Sequence, residues 1–228
     1  MVVGAHRKIR SFVRREGRIT VAQKQAYAEH WQRFGIDFLG ELIMPDQWQE
    51  LFKRSAPLVV DLGFGNGEST AALALAHPEW NIIGIEVYRP GVGNLFRQLV
   101  EKEISNVRVF CHDAVEVLQT AFPSASLQRV QIFFPDPWQK KRHHKRRLIQ
   151  PEFVALIADR LQLQGELLLA TDWQAYAEHM AEVLMAQTVL RSASDAVFAP
   201  RDNLRPLTKF ERRGQKAGHD VWDLKFIK

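Results

Sequence analysis

Cysteine is nearly missing: Cys111 is the only one in 228 residues. No disulfide can form within the chain, and no Cys/His spacing suggests zinc. His143 and His144 lie inside a run of cations that would repel a metal dication, so no metal is expected. No apolar run approaches the length needed to span a bilayer. The opening Met1-Val2-Val3-Gly4-Ala5-His6-Arg7-Lys8 lacks the apolar core of a secretory signal. A cytoplasmic protein with no membrane partner is the expectation. Internal repeats, low-complexity tracts and convincing linkers are also missing. The chain therefore reads as one domain over 21–228, preceded by a flexible basic arm over 1–20.

What is present is clustered positive charge. The 31 Lys and Arg exceed the 26 Asp and Glu by a net +5. Much of the excess sits in the Lys140–Arg147 run and in the arm, where residues 6–18 carry six Lys/Arg. Such clustering points to a polyanionic partner, although the arm alone could be a merely flexible terminus.

The remainder alternates strands with helices. Thr20 can cap a helix over Val21–Arg33, and Pro45 can open a short one. Leu58–Leu62 is a compact apolar strand. It runs into Gly63-Phe64-Gly65-Asn66-Gly67 and then an alanine-rich helix. Strand, glycine turn and helix form an anion-friendly approach for a ligand. The Gly-x-Gly-x-Gly spacing is not that of a nicotinamide dehydrogenase. Asn81–Ile85 is a second strand, ending in Glu86, 19 residues after Gly67. A carboxylate there can take both hydroxyls of a ribose, or simply form a salt bridge. Val107–Phe110 leads to Asp113, which can cap a helix and also face an adenine amino group. Glu166–Ala170 leads to Asp172, a helix N-cap or a ligand contact. The alternating segment 220–226 reads as a half-buried antiparallel strand. These elements make an α/β fold: a doubly wound, mostly parallel seven-stranded sheet with an antiparallel C-terminal strand.

The strand Gln128–Phe134 ends in Pro135-Asp136-Pro137-Trp138. Each proline fixes its own φ and biases its predecessor toward an extended conformation. Asp136 is thus presented on a stiff turn where ligands bind in open α/β sheets. Trp138 is a stacking surface or a core side chain.

Taken in order, these motifs resemble the class I S-adenosylmethionine-dependent methyltransferases. The match is closer to the tRNA (guanine-N7)-methyltransferases of the bacterial TrmB type. The resemblance runs from the arm (Ile9–Arg18) through Gly63–Gly67, Gly84-Ile85-Glu86-Val87, His112-Asp113-Ala114, Phe133–Trp138 with its basic tail and Thr171-Asp172-Trp173 to Thr208–Glu211. It implies methyl transfer from S-adenosyl-L-methionine to guanine N7 at position 46 of the tRNA variable loop, with S-adenosyl-L-homocysteine as co-product. It implies Asp136 as the catalytic residue. Cofactor contacts would come from Asp61, Gly63, Gly65, Gly67, Glu86, Asp113 and Asp136. The family usually has Glu where this chain has the shorter Asp61. Target contacts would come from Lys140, Asp172, Thr208, Lys209, Phe210 and Glu211, and RNA contacts from Arg142, His143, His144, Lys145, Arg146 and Arg147. The molecule would act as a monomer or homodimer. An exocyclic-amine methyltransferase, which uses an Asn/Asp-Pro-Pro-aromatic turn, and a non-catalytic RNA-binding module are the alternatives.

Overall fold

The structure, a computed structural model, describes residues 19–202, 205, 207, 211, 212, 218 and 220–228. The N-terminal arm and Thr208, Lys209 and Phe210 lie outside the described residues.

Thr20 caps α1 (Val21–Phe34). Its hydroxyl accepts the Gln23 N–H, and the Gln23 side chain accepts the Thr20 N–H in return. This reciprocal box satisfies two amides that an open helix end would leave without partners. β1 (Gly35–Ile36) follows, then α2 (Pro45–Phe52), β2 (Leu58–Leu62), α3 (Glu68–Ala76), β3 (Asn81–Ile85), α4 (Arg89–Glu101), β4 (Val107–Phe110), α5 (Ala114–Thr120) and β5 (Leu127–Phe133). A 3₁₀ turn over Lys141–Arg146 leads to α6 (Pro151–Arg160), β6 (Leu161–Thr171), α7 (Gln174–Met185), β7 (Arg191–Ser192) and β8 (Trp222–Ile227).

One eight-stranded sheet runs β1-β4-β3-β2-β5-β6-β8-β7. It is parallel from β1 to β6; β8 is antiparallel to β6, and β7 to β8. Every residue of β2 and β3 is buried, as a parallel strand covered on both faces requires. Val59 and Ile82 pack with α3 and α4, whereas Val60, Leu62, Ile83 and Ile85 pack with α2, α5, α6 and α7. Two helical layers therefore cover opposite faces. The chain builds outward from β2 to β4 and then returns to place β5 on β2's other side. The strand order reverses between β2 and β5, and in such sheets the crevice at that reversal holds the ligand.

Among the described residues the sheet has eight strands where seven were expected; the two-residue β1, beside β4, and β7, beside β8, are not among the six segments read as strands. β6 also begins five residues before the Glu166 start read from sequence. Gly165 therefore lies within the strand, where an added Cβ would sit 2.8 Å from the Gln162 carbonyl oxygen.

Candidate active site at the carboxyl ends of the parallel strands

Gly63, Gly65 and Gly67 have φ of 70°, 58° and 78°. These left-handed values suit glycine because other residues meet a Cβ clash. A Cβ at Gly63 or Gly65 would find no atom within 4 Å, so both open onto free space. Gly67 has a different reason: a Cβ there would lie 2.6 Å from Leu95. The turn is pinned from behind. Gly63 N–H donates to the Ile85 carbonyl at 2.8 Å, and Gly65 N–H to Glu86 Oε2 at 2.9 Å.

Glu86 does more than wait for a ligand. Its Oε1 accepts the N–H groups of Val87 (2.7 Å) and Tyr88 (3.0 Å). Burial raises its pKa, while these three backbone donors oppose the rise. Oε1 is thus occupied, and Oε2 keeps a lone pair for a hydroxyl. Asp61 lies 1% exposed between α3 and β5. Its Oδ2 accepts the Thr70 hydroxyl at 2.6 Å. Burial pushes its carboxyl up to about 6 against hydrogen bonds from Thr70 and Gln131. Asp113 caps α5, accepting from Val115 N–H at 2.8 Å. Next to it, His112 stacks on Phe38 at 3.9 Å. These residues lie at or just past the carboxyl ends of the adjacent strands β2, β3 and β4. Backbone N–H groups, open glycine faces and two acidic strand ends fit an adenosine-bearing, positively charged cofactor.

Across the strand-order reversal, β5 ends in the proline turn. Phe134 N–H donates to the Ala170 carbonyl at 2.8 Å. Asp136 is exposed, and its Oδ1 accepts the Trp138 N–H at 3.0 Å. Phe134 and Trp138 have φ of 54° and 46°. Such values strain bulky side chains, and strain of this kind gathers at functional sites. Phe133 pairs with Ala170 in the β5–β6 register, so the loops bearing Asp136 and Asp172 leave the sheet side by side. Asp172 is not the helix N-cap that was one reading: the cap of α7 is Trp173.

The basic run splits in two. Lys140, Lys141, Arg142 and Lys145 are exposed; His143, His144 and Arg146 are half-buried. Arg146 lies 4.9 Å over the Trp138 ring, and His143 meets that ring edge-on at 5.7 Å. Desolvation lowers the His143 pKa, and the charges of Arg142, Arg146, Lys140 and Lys145 lower it further. Arg147 departs from the expected RNA face. It is 4% exposed, and its Nε donates to the Pro137 carbonyl at 3.0 Å.

Glu211 also departs from a direct target contact, being 2% exposed. Its Oε2 lies 2.7 Å from Arg205 Nη1. The same guanidinium forks onto Asp223 at 2.9 and 3.0 Å and lies 5.7 and 5.5 Å from the Phe133 and Phe134 rings. Arg205 thus joins β8, the Glu211 segment and the root of the proline turn. The sequence reading passed over it as part of a polar loop. The signal was Asp223, a carboxylate inside the alternating final strand, which burial makes dependent on a cation.

Among the described residues no group of three or more His, Cys, Asp or Glu could hold a metal ion, and no helix is long and apolar enough to cross a membrane.

Solved structures share this fold. The 16S rRNA methyltransferase KamB superposes with a TM-score of 0.58 at 14% identity, covering 81% of this chain and 94% of its own. The aminoglycoside resistance methyltransferase NpmB1 gives 0.55 at 14% identity, with 81% and 93% covered. Residues 55–224 match a family model described as a putative methyltransferase. A protein of Shewanella amazonensis named tRNA (guanine-N(7)-)-methyltransferase is 51% identical over 96% of this chain and 92% of its own. One of the same name from Burkholderia cenocepacia is 52% identical over 98% of this chain and 86% of its own. At half identity along almost the whole length, the chain belongs to the tRNA (guanine-N(7)-)-methyltransferase family.

Proposed function

We propose that the protein methylates N7 of a guanine in tRNA, at position 46 of the variable loop, using S-adenosyl-L-methionine. The observation that carries this reading is Asp136: an exposed carboxylate on a stiff turn, between an open glycine cradle and a cationic surface.

S-adenosyl-L-methionine supplies a methyl group activated by its sulfonium. Gly63, Gly65, Gly67 and Glu86 would hold it. Asp113, already engaged as a helix cap, and the buried Asp61 would shape the pocket's floor and polarity.

Guanine N7 carries an in-plane lone pair and no proton, so its alkylation needs no general base. Nor does it need a nucleophilic cysteine. Burial raises the Cys111 pKa and outweighs the opposing hydrogen bond with Tyr27, which favours the unreactive thiol. Asp136 therefore serves alignment and electrostatics. Its carboxylate can accept the N1–H and N2–H of guanine. It also offsets the positive charge that develops on the base. Asp172, Lys140 and the Thr208–Glu211 segment would complete the target pocket.

The exposed cations Lys140, Lys141, Arg142 and Lys145 would provide the phosphate contacts, and the Lys and Arg of the arm over 1–20 would add positive charge to that of the domain over 21–228. Position 46 lies within a folded RNA, so the base must become accessible by local opening. The reading places the protein in the cytoplasm, with its substrate.

The test is incubation with methyl-labelled S-adenosyl-L-methionine and bulk tRNA, followed by nucleoside analysis. The expected labelled product is 7-methylguanosine. Label on an exocyclic amine, or no label despite calorimetric binding of the donor, overturns the proposal.

A further inference from the structure

Arg147 stands apart from the cations that precede it. Its Nη2 meets His144 Nε2 at 3.2 Å, and its guanidinium carbon lies 4.8 Å from the centroid of the Tyr176 ring. With the Nε bond to the Pro137 carbonyl, this uses the Nε/Nη2 edge and one face of the group. Tyr176 is fully buried on α7. Its hydroxyl accepts the Ile149 N–H at 3.2 Å, while His179 Nε2 meets the Ile149 carbonyl at 3.0 Å. The far end of the contact is therefore itself anchored. The near end is the carbonyl between Asp136 and Trp138, the two residues joined by the Oδ1 to N–H bond of the turn.

At 4% exposure, with its Nε/Nη2 edge and one face engaged, the guanidinium offers a phosphate little surface. We infer that Arg147 is a positioning residue: it locks the Pro135–Trp138 turn onto Tyr176 of α7, so fixing Asp136 relative to Asp172, and makes no contact with the nucleic acid. The substrate side of this inference rests on the proposed function; the lock itself rests on geometry alone. Lysine cannot replace arginine here, because a single ammonium lacks the planar fork that donates in two directions while stacking on a ring. A displacement of about 1 Å in an aligning group costs about 100-fold in rate.

The experiment uses the full chain and the variants R147K, R147M and R142M. For R147K, kcat should fall about 100-fold while the tRNA KM changes less than about 2-fold. For R147M, the dependence of log binding constant on log salt should keep the wild-type slope. R142M should lower that slope by about 0.7–0.9, the value for one lost phosphate contact. If R147M does not fold, R147Q supplies the slope. A slope that falls in R147M or R147Q as it does in R142M, or a wild-type kcat in R147K, overturns the assignment. A third measurement needs no substrate. In protein labelled with 5-fluorotryptophan, the Trp138 fluorine signal, assigned by W138F, should move in R147K and stay in R142M. An unmoved signal overturns the lock even if methylation is confirmed. Failure of wild-type protein to form 7-methylguanosine overturns the proposed function and leaves the fluorine result to decide the lock.

Discussion

Asp61 holds a charge where the fold tolerates it least, and the consequence for stability has a definite sign. Burial moves its carboxyl from 3.8 in the free chain up to about 6, Thr70 and Gln131 oppose the move, and the charge of Glu86 adds to it. Between those two values the folded protein binds a proton that the unfolded chain has released. The stabilisation is fully present below 3.8 and is lost as pH rises through about 6. At about 1.4 kcal/mol for each pH unit, the whole window is worth about 3 kcal/mol. An asparagine at this position would have no proton to release. Its amide also has the shape of the protonated acid, so hydrogen bonds to Thr70 and Gln131 can persist. The stability of Asp61→Asn relative to wild type should therefore increase by about 2.5 kcal/mol between about pH 4 and about pH 7.5. Any fixed difference in packing cancels in that comparison. Urea unfolding followed by tryptophan fluorescence at several pH values measures it. A difference constant to within about 0.5 kcal/mol across the window refutes the reasoning. A carboxylate kept here against stability is consistent with a cationic ligand above it.

Asp136→Asn keeps the turn but removes the charge. Turnover should fall about 100-fold or more, while calorimetric affinity for S-adenosyl-L-methionine stays near wild type; unchanged turnover removes Asp136 from the mechanism. Gly91→Ala would place a Cβ 2.0 Å from the Gly65 carbonyl oxygen. The shifted glycine turn should weaken cofactor binding by about 1–3 kcal/mol, and undiminished affinity would mean that this turn is no cradle. Arg205→Met removes the cation shared by Asp223 and Glu211. It should cost about 3–5 kcal/mol in urea unfolding, and a loss below about 1 kcal/mol would show that the buried cluster is not held by Arg205.

The sequence revealed the parts whose physics is local. β2 and β3 were bounded at the residue because a doubly covered parallel strand is a short apolar run stopped by turn residues. The Thr20 cap and the Asp113 cap likewise depend on amides a few residues away. β1 and β7 were not legible. Each is two residues long and is defined only by the partner that pairs with it.

The basic run shows where sequence-level reading stops and why. Eight consecutive residues of like chemistry, Lys140–Arg147, carry no mark that separates a phosphate contact from a brace. That separation comes from the backbone: a 3₁₀ turn over Lys141–Arg146 leaves Lys145 on the outside and delivers Arg147, just past its end, to the Pro137 carbonyl and the Tyr176 ring. The ring belongs to α7, nearly thirty residues further on, so no local pattern could have shown it. Arg205 follows the same logic. Its partners lie on β8, in the Glu211 segment and at the end of β5, and only the folded sheet brings them together. Reactive groups could be named from the chain because their chemistry is intrinsic. The residues that aim them could not, because aiming is a relation between distant elements. Burial separates the two classes here: Asp136 is exposed, whereas Arg147 and Arg205 are almost wholly enclosed.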